Sequence, residues 1–269
     1  MPPRIAIPMP HSVDIEYAGR AVPQYERAVR LAGGEPVRIP LDQPATEVAR
    51  TIAACDGVLL PGSNADVDPA RFNAKSSPHT AAADPRRDAV DDLLLADAYH
   101  RRKPVLGICY GLQSLNVFRG GSLIQHIPDF LPQATRAKVN HAAGRTVAVA
   151  HAVEIDRTSK LAAIVGGNSR TSGEGHDFSR ADMSSASRPA LAAEGGLVVP
   201  VNSSHHQAAQ TPGTGLRTVA RCPADGIIEA LEGTDADHFV LAVQWHPERS
   251  VDDDPASRAI FRALIQAAK

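Results

Sequence analysis

Short apolar runs alternate with amphipathic stretches along the first 120 residues, and this alternation restricts the fold more than any other feature. A run of four or five apolar residues bounded by turn formers suits a strand buried on both faces. An apolar stripe at helical spacing between two such runs suits a crossover helix packed on the sheet. Residues 4–8 read as a first buried strand. Residues 19–32 carry Ala21, Val22, Tyr25, Ala28, Val29 and Ala32 at helical spacing and stop at Gly33 and Gly34, which cap a helix C-terminus well. A second strand is expected at 37–40 and a helix at 46–53 with Thr46 as its N-cap. A third strand follows at 57–60, ended by Pro61 and Gly62, then a long helix at 85–102. A strongly apolar strand at 104–108 runs straight into Cys109, and a helix at 112–118 closes at Gly120 and Gly121. The order predicts an α/β fold with a mostly parallel central sheet flanked by helices.

The second half reads as richer in strand, at 145–149, 218–221, 227–232 and 240–244, before a terminal helix at 255–268. Residues 166–196 are rich in Ser, Gly and Ala and poor in large apolar residues, so they read as a polar insertion or lid. A length of 269 residues permits one large domain or two small ones. The absence of a clear boundary favours a single domain over 1–269. A formal net charge of −2 gives no whole-chain case for nucleic acid or an anionic membrane. The N-terminus lacks an apolar signal core, and no apolar run approaches a membrane span. Three widely spaced cysteines (Cys55, Cys109, Cys222) form no disulfide framework and suit a reducing cytoplasm.

One thiol stands apart. Cys109 lies in Gly107-Ile-Cys109-Tyr-Gly111, between an apolar strand and a helix, the thiol counterpart of the G-x-S-x-G nucleophile elbow. A tight strand-to-helix turn strains the nucleophile, and flanking glycines remove β-carbons that would clash. The sulfur then stands at a helix N-terminus, where the dipole and free N–H groups favour a thiolate and can hold an oxyanion. Cys55 and Cys222 lack a glycine frame and read as buried small residues.

A strand is expected to end at Val243-Gln-Trp-His246-Pro-Glu248. The proline restricts the backbone between imidazole and carboxylate, so Glu248 can bind one ring nitrogen of His246 and leave the other for a thiol. Leu59-Leu-Pro-Gly62-Ser63 ends another strand, and its Ser63 N–H suits the second donor of an oxyanion hole beside the Tyr110 N–H. The adjacent His205 and His206 invite a metal reading. Neighbours in sequence point to opposite sides, however, and no Cys or carboxylate cluster lies nearby in sequence, so no metal is expected.

LLPGS, GICYGLQ and AVQWHPE, in this order and spacing, resemble the class I glutamine amidotransferase superfamily. Within it the chain is most similar to γ-glutamyl hydrolases of the γ-glutamyl-γ-aminobutyrate hydrolase type, peptidase family C26. The likeness extends to Asp84-Pro-Arg-Arg87-Asp88, Gly120-Gly-Ser-Leu123, Val201-Asn-Ser-Ser-His205-His-Gln207 and Pro223-Ala-Asp-Gly226. It implies a flavodoxin-like amidotransferase fold with Cys109 as nucleophile, His246 as base then acid, and Glu248 orienting His246. It also implies substrate contacts from Gly62, Gln113, Ser204, His205, His206 and Gln207. The implied reaction is hydrolysis of a γ-glutamyl amide through a thioester, without a cofactor, with γ-glutamyl-γ-aminobutyrate of putrescine breakdown as leading substrate. The partner expected is that small molecule alone, and a homo-oligomer is left open. Two other functions compete: a glutaminase chain feeding ammonia to a separate synthetase, and a non-catalytic binding module. The intact Cys-His-Glu set argues against the second. The insertion, with Arg170, Glu174, His176, Asp177, Arg180 and Asp182, reads either as solvated surface or as a flap that selects the amine.

Overall fold

The computed structural model describes residues 1–166 and 196–269. Its strands are β1 (Arg4–Pro8), β2 (Glu35–Ile39), β3 (Gly57–Leu60), β4 (Val105–Ile108), β5 (Ser122–Ile124), β6 (His151–Ile155), β7 (Leu197–Val201), β8 (Ala208–Thr211), β9 (Leu216–Arg221), β10 (Ile228–Gly233) and β11 (Val240–Val243). Its helices are α1 (Ile15–Leu31), α2 (Ala45–Ala53), α3 (Pro85–Arg101), α4 (Tyr110–Phe118), α5 (Ile127–Phe130), α6 (Gln133–Arg136), α7 (Lys160–Gly166) and α8 (Pro255–Ala267).

Nine strands form the central sheet in the order β2-β1-β3-β4-β11-β10-β9-β6-β7. The pairings from β2 to β11 are parallel and those from β11 to β7 antiparallel, so seven of the nine strands point the same way. β5 and β8 pair in a small second sheet.

The buried strands explain why their sequences are continuously apolar. Ile5, Ile7, Leu59, Leu106 and Ile108 pack on one face with Tyr25 and Val29 of α1 and Phe261 and Leu264 of α8. The alternate residues Ala6, Val58, Leu60 and Val105 face the other layer, with Ile52 of α2, Leu94 and Leu95 of α3, and Leu112 and Leu115 of α4. A strand covered on both faces has no side to leave polar.

Several local expectations are corrected. Residues 145–149 form no strand; Val147 and Val149 are exposed, and the chain enters the sheet only at His151. The N-cap of α2 is Pro44, not Thr46, and no side chain caps it. α1 starts at Ile15 because the Asp14 side chain accepts from the Tyr17 N–H and caps the helix there, ahead of the first expected position. β5, β7 and β8 are not among the expected strands: β5 has only three residues, β8 reads Ala-Ala-Gln-Thr, and β7, though rich in Val, carries Pro200. The insertion at 166–196, with Arg170, Glu174, His176, Asp177, Arg180 and Asp182, lies outside the described residues apart from its two ends. Among the described residues, no helix is long and apolar enough to cross a membrane.

Candidate active site

β4 hands the chain to α4 through one strained residue. Cys109 has φ 53° and ψ −106°, a left-handed conformation that a side chain disfavours and that only surrounding structure can impose. That structure is visible on both sides of the turn. The Cys109 N–H donates to Val243 O at 2.9 Å, and its carbonyl accepts from Leu112 and Gln113 N–H groups in the first turn of α4. The two glycines of the elbow are there for room. A β-carbon on Gly111 would stand 2.1 Å from Leu60 O, and one on Gly107 would stand 2.8 Å from Gly111 O.

Three strand ends meet at this turn. A β-carbon on Gly62 would lie 3.1 Å from His246 Cε1 and 3.6 Å from Cys109 Cβ, so the Pro61-Gly62 loop passes close beside both residues. His246 Nδ1 donates to Glu248 Oε1 at 2.7 Å, and all three side chains are buried. A short 3-10 turn at Pro247–Arg249 folds the carboxylate back onto the ring. Among the described residues Nε2 has no other hydrogen-bond partner and is left facing the sulfur. Burial disfavours the imidazolium, but the negative charges of Glu248 and Cys109 outweigh it and push the His246 pKa up to about 9. Burial likewise opposes ionisation of Glu248, and the neighbouring His246 charge overrides it and holds that carboxyl below its usual range.

Two residues not anticipated from the sequence fix this geometry. Asn202 holds the His246 backbone from both directions: Nδ2 donates to His246 O and Oδ1 accepts from His246 N, each at 2.9 Å. Arg87, fully buried, donates to Asp91 at 2.7 Å, to Pro61 O at 2.8 Å and to Pro10 O at 3.1 Å, which ties down the Pro61-Gly62 loop. The Arg87 guanidinium also lies over the Tyr110 ring, whose hydroxyl donates to Asp88. Tyr17 borders the site too, its phenol pushed up to about 12 by burial and by the Cys109 and Glu248 charges.

Among the described residues, no acceptor engages the Tyr110 or Ser63 N–H, whereas the Gly62 N–H donates to Tyr25 Oη at 3.0 Å. The pair expected to hold an oxyanion is therefore free of internal partners among those residues. The expected substrate residues are arranged less simply. Gln113 Nε2 donates to Gln207 O at 3.1 Å, so it braces the 202–207 strip. The Gln207 side-chain amide is buried, with no partner on either atom among the described residues. Ser204 Oγ accepts from Arg249, and His206 pairs with Asp66 at 3.0 Å. His205 turns the other way: Nδ1 meets Gln207 O and Nε2 faces Glu229, so neither ring nitrogen is directed at a small molecule beside Cys109.

The grounds for expecting no metal hold along the sequence but not in space. His205 and His206 do diverge, but His205 meets His141, His151 and Glu229, all buried and drawn together from distant segments. The signal in the sequence was the recurrence of histidine at 141, 151 and 205, scattered too widely to read as a motif.

The family model of peptidase C26 matches residues 8–248. A protein of Mycobacterium tuberculosis provisionally named a glutamine amidotransferase is 36% identical over 251 residues, covering 93% of this chain and 68% of its own. The gamma-glutamyl-gamma-aminobutyrate hydrolase PuuD of Escherichia coli is 30% identical over 249 residues, 91% of this chain and 84% of its own. A solved structure from Thermoplasma acidophilum, provisionally named as a component of GMP synthase, superposes with a TM-score of 0.58. At 14% identity it covers 100% of this chain and 94% of its own, a likeness of fold.

Proposed function

The chain belongs to the peptidase C26 family, and from that premise we propose that it hydrolyses a γ-glutamyl amide through a thioester on Cys109. The observation that carries this reading is the strained Cys109 at the head of α4, facing an imidazole whose far nitrogen is bound to Glu248 at 2.7 Å. An imidazolium favoured up to about pH 9 suits a thiolate–imidazolium pair at neutral pH. The Cys109 sulfur attacks the γ-carbonyl carbon, forming a C–S bond, and the N–H groups of Tyr110 and Ser63 hold the oxyanion. A donor of this kind is worth about 3–4 kcal/mol of barrier. His246 Nε2 gives its proton to the leaving amine as the C–N bond breaks. Water then loses a proton to Nε2 and attacks the thioester carbon; the C–S bond breaks, releasing glutamate and restoring the thiolate. The substrate class proposed is γ-glutamyl-γ-aminobutyrate or a related γ-glutamyl amine, supported by the names of relatives about as similar as the Escherichia coli hydrolase.

The test is glutamate release from a panel of γ-glutamyl amides, glutamine included, by the protein and by Cys109→Ala, with acid-quenched mass spectrometry of the acyl-enzyme. Turnover with a glutamyl adduct on Cys109, both absent in the variant, is expected. No turnover of any γ-glutamyl compound, or full activity in the variant, overturns the reading. Glutamine turnover only in the presence of a synthetase chain replaces it with the glutaminase one.

A further inference from the structure

Beside the 202–207 strip, four buried side chains outside the Cys109–His246 pair converge on one point. Each imidazole uses one nitrogen outwardly: His141 Nε2 donates to Asp225 Oδ2 at 2.8 Å, His151 Nδ1 to Ala152 O at 3.1 Å and His205 Nδ1 to Gln207 O at 2.9 Å. Carbonyl and carboxylate oxygens only accept, so these nitrogens carry the ring protons, and the opposite nitrogens of neutral rings present lone pairs. The opposite nitrogens are His141 Nδ1, His151 Nε2 and His205 Nε2, at 3.2, 3.5 and 3.7 Å from the same oxygen, Glu229 Oε1. Among the described residues none of the three, nor either Glu229 oxygen, meets the full geometry of a hydrogen bond, although the Cys222 thiol interacts with His141 and His151, and all lie in the interior. Lone pairs aimed at a carboxylate in a dry interior repel it unless a cation sits between them or one ring takes up a second proton.

We propose that His141, His151, His205 and Glu229 hold a structural zinc ion. Three imidazoles and a carboxylate are the nitrogen and oxygen donors that zinc takes in tetrahedral geometry. Bonds of about 2.0–2.1 Å give a tetrahedron with edges of about 3.4 Å, which the three separations from Glu229 Oε1 bracket. All the candidate ligand atoms lie within 4.8 Å of one another. Asp225 behind His141, and the carbonyls behind the other two rings, fix each ring's tautomer and orientation as outer partners of metal ligands do. All four donors come from the protein and are buried, which is the closed form of a structural site. The ion would join β6, β10, the loop at His141 and the 202–207 strip. His141 O already accepts from His205 N–H and Ser203 Oγ. Because Asn202 clamps His246 and Gln207 O holds Gln113, the ion would steady the segment that positions the imidazole beside Cys109. The metal-free arrangement that could stand in its place is an imidazolium at His141 between Asp225 and Glu229.

The experiment is elemental analysis of the purified protein, followed by stripping with dipicolinate and titration with Co²⁺. We expect about one zinc per chain and intense visible d–d bands of tetrahedral Co²⁺ that Zn²⁺ abolishes. Stripping should lower Tm by about 10 °C, restored by zinc. Glu229→Gln and His151→Ala should lose the cobalt spectrum, and Asp225→Asn should weaken binding about 10–100-fold. Wild-type protein that takes up no cobalt and shows no Tm response to zinc overturns the proposal in favour of the imidazolium. Cobalt binding undiminished in both Glu229→Gln and His151→Ala overturns it as an adventitious ion elsewhere.

Discussion

Gly111→Ala is the sharpest test of how the elbow is built. The added β-carbon would stand 2.1 Å from Leu60 O, 2.7 Å from Leu60 Cβ and 2.8 Å from Leu60 C, and such atoms essentially never approach within 3.0 Å. The main obstacle is backbone, so α4 and β3 must part by about 0.9 Å, the difference between those two distances. Overpacking of this kind costs about 3 kcal/mol. The separation also falls between Cys109 and the Pro61-Gly62-Ser63 loop, and a misplacement near 1 Å lowers turnover about 100-fold. The natural control is Gly120→Ala. Gly120 has φ 82° with nothing within 4 Å of an added β-carbon, so it loses only about 1–2 kcal/mol to left-handed strain. Stability is read from urea unfolding, and the elbow from the rate of iodoacetamide alkylation at Cys109 by intact mass. Gly111→Ala is expected to fall on both measures and Gly120→Ala on the first alone. If Gly111→Ala unfolds within about 0.5 kcal/mol of wild type and is alkylated at the same rate, the steric account of the elbow is wrong.

Glu248→Gln should lower amide hydrolysis about 10²–10⁴-fold and bring the His246 pKa, followed by NMR, down from about 9. Because the folded pKa lies above the ordinary 6.5, this group's contribution to stability is complete below pH 6.5 and lost as pH rises through 9. Wild-type stability to urea should therefore decline across that window more steeply than that of the variant; parallel profiles would contradict the coupling. Arg87→Met strips Asp91 of its buried counter-ion and Pro61 O of its donor, and should cost about 3–5 kcal/mol. Arg87→Met with Asp91→Leu should recover much of that loss, and a double variant no more stable than the single one would show that the charge was not the cause.

The parallel half of the fold was legible because β1, β3, β4 and β11 are buried on both faces, which forces a continuous apolar run that no helix of that length would need; β2, at the sheet edge, keeps Glu35 and Arg38 exposed. The elbow was legible for a related reason: Gly107 and Gly111 are demanded by backbone approach, so the constraint is written in two letters. The antiparallel half hid its register. Val147 and Val149 imitate a strand yet find no sheet partner, while the strand that does enter the sheet opens on His151, a residue that does not look like one. Asn202 and Arg87 went unnoticed as positioning residues because the contacts by which they hold the site are to backbone groups, of His246, Pro10 and Pro61, which leave no mark in sequence. Glu229 sits in a strand buried along its whole length, where a carboxylate finds its partners only after β6 and the 202–207 strip have been folded beside it.

The place of β11 in the sheet has a consequence for how the molecule is made. This strand is parallel to β4 on one side and antiparallel to β10 on the other, and it leads into His246 and Glu248. Among the described strands it is the one direct seam between the two halves of the sheet, yet it leaves the ribosome after all the others. Until residues 240–248 emerge, β4 and β10 present open apolar edges to whatever is nearby. Thiol, elbow and loop can exist by then, but the imidazole cannot. A nascent or truncated chain is thus chemically incomplete and prone to stick to its neighbours, and the joining of the sheet coincides with the arrival of the base.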